Sequence, residues 1–517
     1  MLPVLTGEAS SPGSEPADDC CVACAAASTA AHVVVVPLAA MAIVPPGSPV
    51  PQLPIVPTTP QGSSAPPPVR GPLPVLQPGM TSGVGIARSG DRRIAFGGLV
   101  IAGVFLALAV AALALPPELR LGAWLPVHLA LAGAAATAIA GLLPFFTAAL
   151  VVAPPARPAV RIGGVALVAV GAAAAMLVTT HARGEVLPAT LAGGSFLAGL
   201  GLVAAAAFIP LRGALGPRRP LAERAYAAAL ANVAVGVTIA TLLVGGNLAV
   251  GGAWYALKPA HAWLNLIGFA SLVVIATLLH LAPTIAGSRI RPRISGRLAV
   301  IGVAAGAPLV AAGYATDADL IARAGAVAVL IGAFGVATHG AVVALDRERG
   351  RWTTDAGWHQ FTGGAFLMGQ AWLGVGLAIA AGRVLAAGAD PAAWSLSFIA
   401  GPLLIGGVAQ VLLGAMTHLL PAIGPGDPVR HAVQRRTLGR GAMIRLMALN
   451  AGVTLVALGA WSSVGPGSDS SVGTAAGALV PIGLTLAALA AAGSLALLGS
   501  AARRGRVRQY FPGPSNA

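Results

Sequence analysis

Residues 260–293 read AHAWLNLIGFASLVVIATLLHLAPTIAGSRIRPR, and this stretch decides the class of protein. From Ala260 to Ala286 it contains no Asp, Glu, Lys or Arg. A helix rises about 1.5 Å per residue, so the run is long enough to cross a hydrocarbon core of about 30 Å. Lys258 stands just ahead of it, and Arg289, Arg291 and Arg293 close it on the other side. A surface helix of a soluble domain would show a charged stripe along this length. Here the only groups with acid-base or strong ligand chemistry are His261 and His280. The stretch predicts a membrane span that carries two histidines.

The rest of the chain follows the same pattern. Of 517 residues, 56% are hydrophobic and only 9% charged, against roughly 25% charged in soluble domains, and the mean hydropathy is +0.84. Apolar runs of membrane-crossing length predict an all-α polytopic protein with twelve spans, at about 94–115, 123–149, 162–180, 187–211, 225–249, 260–285, 297–314, 319–345, 358–382, 393–422, 442–462 and 473–500.

The formal charge of +15 invites a nucleic-acid reading, but its distribution is topological. One set of connections holds Arg88, Arg92 and Arg93; Arg157 and Arg161; Arg212, Arg218, Arg219 and Arg224; Arg289, Arg291, Arg293 and Arg297; Arg347, Arg349 and Arg351; Arg430, Arg435, Arg436, Arg440 and Arg445; and Arg503, Arg504, Arg506 and Arg508. The opposite set holds only Arg120, Arg183, Lys258, Arg323 and Arg383, with Arg70 left in the tail. Basic residues collect in cytoplasmic loops. The partition therefore predicts a multi-pass protein of the plasma membrane with both ends of the bundle cytoplasmic, the lipid bilayer as partner, and no nucleic acid. A register error in any one span would scramble the alternation.

Three segments are expected: a Pro/Ser/Gly-rich cytoplasmic tail at 1–90, the twelve-helix domain at 91–502, and a basic cytoplasmic tail at 503–517. The first tail, with Pro66-Pro67-Pro68, lacks the apolar patterning needed to pack and reads as disordered. Met80 opens a conventional short cytoplasmic leader, so it is an alternative start. Cys20, Cys21 and Cys24 are the only cysteines. Their one C-x-x-C pair lacks the second pair that a zinc site needs, which makes it a weak metal signal. The connections between spans are short, so any chemistry belongs to the bundle.

Within that bundle, ionisable side chains are costly and mark functional sites. The candidates are His128, His261, His280, His339, His359 and His418. Topology places His128 and His261 toward the outer face and the other four toward the cytoplasmic end. His261 and His280 are separated by about 28 Å of helix, too far to serve one centre. Span 6 ends His280-Leu-Ala-Pro283, span 10 ends His418-Leu-Leu-Pro421, and span 2 carries the related Gly141-Leu-Leu-Pro144. These spans are four apart, which predicts three pseudo-repeats of four helices. His261 and Asn265 share a helix face, as do Gln410, Gly414 and His418. Asn265 and Gln410 are thus candidates to support the histidines. For any one histidine a packing role remains the competing explanation, and His181 and His431 fall in loops. Imidazole is a common ligand for haem iron and copper. The four inner histidines are the candidate metal set, and all six are candidate cofactor ligands for haem b or copper.

Twelve spans, pseudo-threefold groups and histidines on spans 2, 6 and 10 resemble subunit I of the haem-copper oxidases. The segment from His261-Ala-Trp-Leu-Asn-Leu-Ile-Gly268 through His280-Leu-Ala-Pro283, with Ala409-Gln-Val-Leu-Leu-Gly414 through Leu419-Leu-Pro421, resembles the polytopic segment that precedes copper nitrite reductase or multicopper oxidase domains in some high-GC bacteria. The resemblance implies that His128, by span and depth, is a haem ligand. Span 7 carries no His-His pair and span 10 no H-x-H, so no oxygen-reducing centre is implied. What is implied is a haem- or copper-binding electron-transfer component that exchanges electrons with quinol or a redox partner protein; if it is an enzyme, it is part of an oxidoreductase. The alternative is a twelve-span transporter of an uncharged or small solute, against which stands the lack of Asp, Glu or Arg at any midplane.

Overall fold

The computed structural model describes residues 81–215, 220–247, 253–346, 358–423, 428–462 and 470–506. The tail at 1–80, with its cysteines, lies outside them, as does the question of whether it packs. The described residues are helical, without strands, and twelve helices are long and apolar enough to cross a membrane. Spans 1 to 12 are Arg92–Ala112, Trp124–Leu150, Pro158–His181, Val186–Gly213, Pro220–Val244, Trp254–Ala286, Ile294–Thr316, Asp319–Leu345, His359–Ala387, Ser397–Pro421, Ala442–Ser462 and Ala478–Arg504. This is a multi-pass membrane protein.

Helix ends overrun the apolar runs. The first helix starts at Thr81, inside the segment expected to be tail, and the last runs from Ser470 to Arg506, into the expected C-terminal tail. After Pro78 no proline occurs until Pro116, so nothing upstream of the first apolar run stops the helix. Terminal charges such as Arg161 and Arg445 thereby become helical residues at span ends.

The spans repeat their neighbourhoods with a period of four. In each group of four, the first span packs on the second and third, the second on the third and fourth, and the third on the fourth, and this holds for spans 1–4, 5–8 and 9–12. Spans 4 and 5, 8 and 9, and 6 and 9 join the groups. In lipid, helix association rests on close van der Waals packing between small residues. The third and fourth spans of each group pack that way: a Cβ on Gly302 would lie 2.5 Å from the amide nitrogen of Gly332, and one on Gly452 would lie 2.6 Å from the carbonyl oxygen of Gly483.

The second span of each group carries a further shared feature. Spans 2, 6 and 10 each widen into a π-helical segment, at Leu129–Ala135, Trp263–Ser271 and Ala400–Ala409. Each then returns to α-helix and passes through Pro144, Pro283 or Pro421. π segments hold an extra residue in the turn and are frequent at functional sites.

On the side where the arginines collect, Asp346 just beyond span 8 binds Arg291 at 3.0 Å, Ser288 at 3.2 Å, and Arg293, tying the loop after span 6 to the end of span 8. Burial raises the Asp346 pKa, but Arg291, Ser288 and Arg293 together outweigh it and hold the carboxyl below its ordinary value. On the opposite side, Arg383 donates to the carbonyl of Ala393 at 2.7 Å and lies over the Phe398 ring, pinning the loop between spans 9 and 10.

Candidate functional site

The fold brings His128 and His261 together. Their ring centroids are 6.3 Å apart and their planes differ by 11°. Each imidazole is held through Nδ1. The Nδ1 of His128 lies 2.8 Å from the carbonyl oxygen of Trp124, and that of His261 lies 2.8 Å from the carbonyl oxygen of Gly236 on span 5. A carbonyl only accepts, so both Nδ1 atoms carry the proton. That fixes the tautomer and leaves Nε2 of each ring with its lone pair, the form in which histidine ligates a metal.

Neighbours fix the rest of the geometry. Trp124 stacks on His128, with ring centroids 4.3 Å apart and an interplanar angle of 22°. Asn265 Nδ2 donates to the His261 carbonyl at 2.7 Å. The seam between spans 5 and 6 is reciprocal: Asn232 Nδ2 donates to the Gly268 carbonyl at 3.1 Å, and the Asn265 carboxamide occupies the space that a Cβ on Gly236 would need. Span 5 can therefore approach close enough to present the Gly236 carbonyl to His261. Both histidines are half-buried. Spans 2 and 6 are not among the helix pairs packed along their length.

The separation has a physical reading. Face-to-face rings would stand about 3.5–4.0 Å apart, the optimum between non-bonded carbons. Were both Nε2 atoms turned toward one metal, with bonds of about 2.0–2.1 Å and about 1.1 Å from each nitrogen to its ring centre, the centroids would stand roughly 6.3 Å apart. At 6.3 Å the two rings stand apart from direct ring-to-ring contact, so His128 and His261 are the residues that would hold a metal or cofactor bound between them. Among the described residues no three His, Cys, Asp or Glu side chains gather as a metal-binding group. At this pair the described residues thus offer no more than two ligands of those types. A closed structural site for zinc takes four protein ligands, whereas a haem brings its own four nitrogens and asks for axial ligands alone.

The inner histidines do not form one group of this kind. His339, 4% exposed, has Nδ1 3.4 Å from Ser295 Oγ on span 7. With Gln370 and Leu279 it lines a cavity of about 10 Å³, close to the size of one water. His280 is buried in span 6. His359 and His418 are half-buried and near enough for their charges to interact. Gln410 is fully buried directly after the span 10 π segment, and neither of its amide atoms has a hydrogen-bond partner among the described residues.

Sequence reasoning paired His128 with His261 and placed Asn265 at their side, but it passed over Trp124, Gly236 and Asn232. Trp124 was legible as the i, i+4 neighbour of His128. Gly236 supplies only backbone, and nothing in its own stretch of sequence marks its carbonyl as a ligand-orienting group.

Near the site, a cleft of about 360 Å³ opens between the start of span 6 and the loop before span 10, walled by Tyr255, Lys258, Pro259, Asp390 and Trp394. Trp394 reaches Trp263, with ring centroids 5.8 Å apart, and the fully buried Trp263 indole N–H has no acceptor among the described residues. Compared with known protein families and with curated proteins, the sequence matches none.

Proposed function

We propose that this protein is a membrane electron-transfer component that holds one b-type haem between His128 and His261. The observation that carries the reading is the paired geometry: two half-buried imidazoles from different spans, near parallel, 6.3 Å between centroids, each with Nδ1 bound to a backbone carbonyl. The resemblance to haem-copper oxidase subunit I points the same way through His128. A haem held there would supply one-electron redox chemistry. The chain's own contribution is to orient both ligands, through Trp124 and Gly236, and to place them in a low-dielectric bundle.

The reading uses only the outer pair. Two protein ligands suit haem better than copper, which takes two or three ligands close together with a geometry the protein must impose. The positive-inside partition supports a plasma-membrane protein with both termini cytoplasmic and the site toward the outer face. Quinol or a redox partner protein is the proposed source or sink of electrons. The Lys258 cleft, three residues before His261 on the same helix, is the proposed approach.

The test is an absorption spectrum of the purified full chain, oxidised and dithionite-reduced, with metal analysis alongside. A Soret band that shifts on reduction is expected, and His128→Ala or His261→Ala should abolish it, while His280→Ala and His418→Ala leave it in place. A wild type without chromophore or metal would sink the proposal and leave the transporter reading. Copper without haem would overturn the choice of cofactor.

A further inference from the structure

We propose that one water molecule is bound where the second and third groups of helices meet, between His339 of span 8 and Gln370 of span 9, and that it locks this junction by hydrogen bonds. His339 stands six residues before the end of span 8, about 9 Å along the helix axis. Lipid supplies no hydrogen-bond partner at that depth. The inference stands apart from the haem reading, because neither residue belongs to the outer histidine pair.

Glycines make the room for these side chains. A Cβ on Gly296 of span 7 would lie 3.4 Å from His339 Nδ1, and one on Gly340 would lie 3.2 Å from Gln370 Nε2. The imidazole is therefore seated against span 7, and the carboxamide lies on the backbone of span 8 at the residue after His339. Both side chains are buried, His339 at 4% and Gln370 at 3% exposure. His339 Nδ1 is 3.4 Å from Ser295 Oγ, whereas its Nε2 is buried with no hydrogen-bond partner among the described residues. Gln370 gives one N–H to the Phe366 carbonyl at 3.1 Å, which leaves a second N–H and Oε1 to offer. Both residues border the same cavity of about 10 Å³, whose other walls are Ile275, Leu278, Leu279, Ala299 and Val336.

Size and chemistry identify the occupant. The cavity is at the lower limit for one water and admits nothing larger. Its apolar walls exclude an ion, which would need more oxygens than one carboxamide provides. Whichever way Ser295 Oγ and Nδ1 share a proton, Nε2 remains either a donor or an acceptor, and water serves as partner to both. Leaving that buried nitrogen unmatched is costly. A water that bridges it to the Gln370 carboxamide removes the cost and ties span 8 to span 9.

The test is solid-state NMR of the full chain in lipid bilayers, with isotope-labelled histidine and magnetisation transferred from water. The His339 resonances are those lost in His339→Gln. Transfer to His339 Nε2 is expected in the wild type. It should be abolished in Gln370→Met, which keeps the length of the side chain but removes the water's second partner. Val336→Ile adds a methyl group at the cavity wall and should abolish it too, because so small a space cannot hold both. Ser295→Ala alters only the other nitrogen, so transfer to Nε2 should persist there, and its loss would place the water on the Ser295 side instead and overturn the proposal. No transfer in the wild type would also overturn it, because the cavity would then be dry. So would transfer that survives in both Gln370→Met and Val336→Ile, since the water would then reach the ring by another route. Should Gln370→Met fail to fold, the wild type and Val336→Ile still decide.

Discussion

At the scale of single residues, the site depends on one carbonyl. Gly236 lends its backbone to His261, and it can do so because span 5 comes so close that the Asn265 carboxamide fills the place of a side chain. A methyl group there must displace Asn265 or push span 5 outward. Overpacking of this kind costs about 1–3 kcal/mol. Gly236→Ala should therefore lower the melting temperature and, by freeing His261 Nδ1, shift or broaden the reduced haem spectrum that we propose. A variant with both properties unchanged would show that the carbonyl does not orient the ring. The buried Gln410 amide points another way. An unpartnered buried polar group costs about 1–3 kcal/mol, so a sequence reading that cast it as a histidine's partner gains no support from its surroundings.

At the scale of elements, the π segments set which way the histidines face. His128 stands immediately before Leu129–Ala135 and His261 two residues before Trp263–Ser271, and span 10 has no histidine ahead of its own segment at Ala400–Ala409. The third group thus keeps the backbone device without the ligand. Removing one residue from a π turn restores α geometry and rotates everything on one side by about 100° relative to the other. Deleting Leu264 should turn His261 away from His128 and abolish haem binding while the chain still inserts. Deleting Val408 in span 10 should leave the haem in place. Equal spectra in wild type and the Leu264 deletion would refute the role given to the segment. Apolar runs show where a span lies but not its hydrogen-bond register, which is why the π turns escaped the sequence reading while Pro144, Pro283 and Pro421 did not.

At the scale of the whole molecule, three groups of four helices share one contact pattern, as the recurring Leu-x-Pro endings foretold. The arginine partition predicts the orientation of all twelve spans at once. Reporter fusions after Arg183 and after Arg293 should read outside and inside, respectively. The reverse pattern would put the histidine pair near the cytoplasm and move the proposed electron partner to that side. The number of spans, the period of four and the histidines as the ionisable groups of the interior were all legible in the sequence, because each follows from local composition: an apolar run must cross lipid, charges must stay at its ends, and repeats show as repeated residues. Which histidines meet was decided only in three dimensions. Six were candidates, and depth could sort them into two layers, but convergence depends on helix rotation and spacing. The π turns set the first and the glycine and asparagine seam sets the second. Those forces bring the rings of His128 and His261 within 6.3 Å of each other, while among the described residues the inner four form no metal-binding group of three.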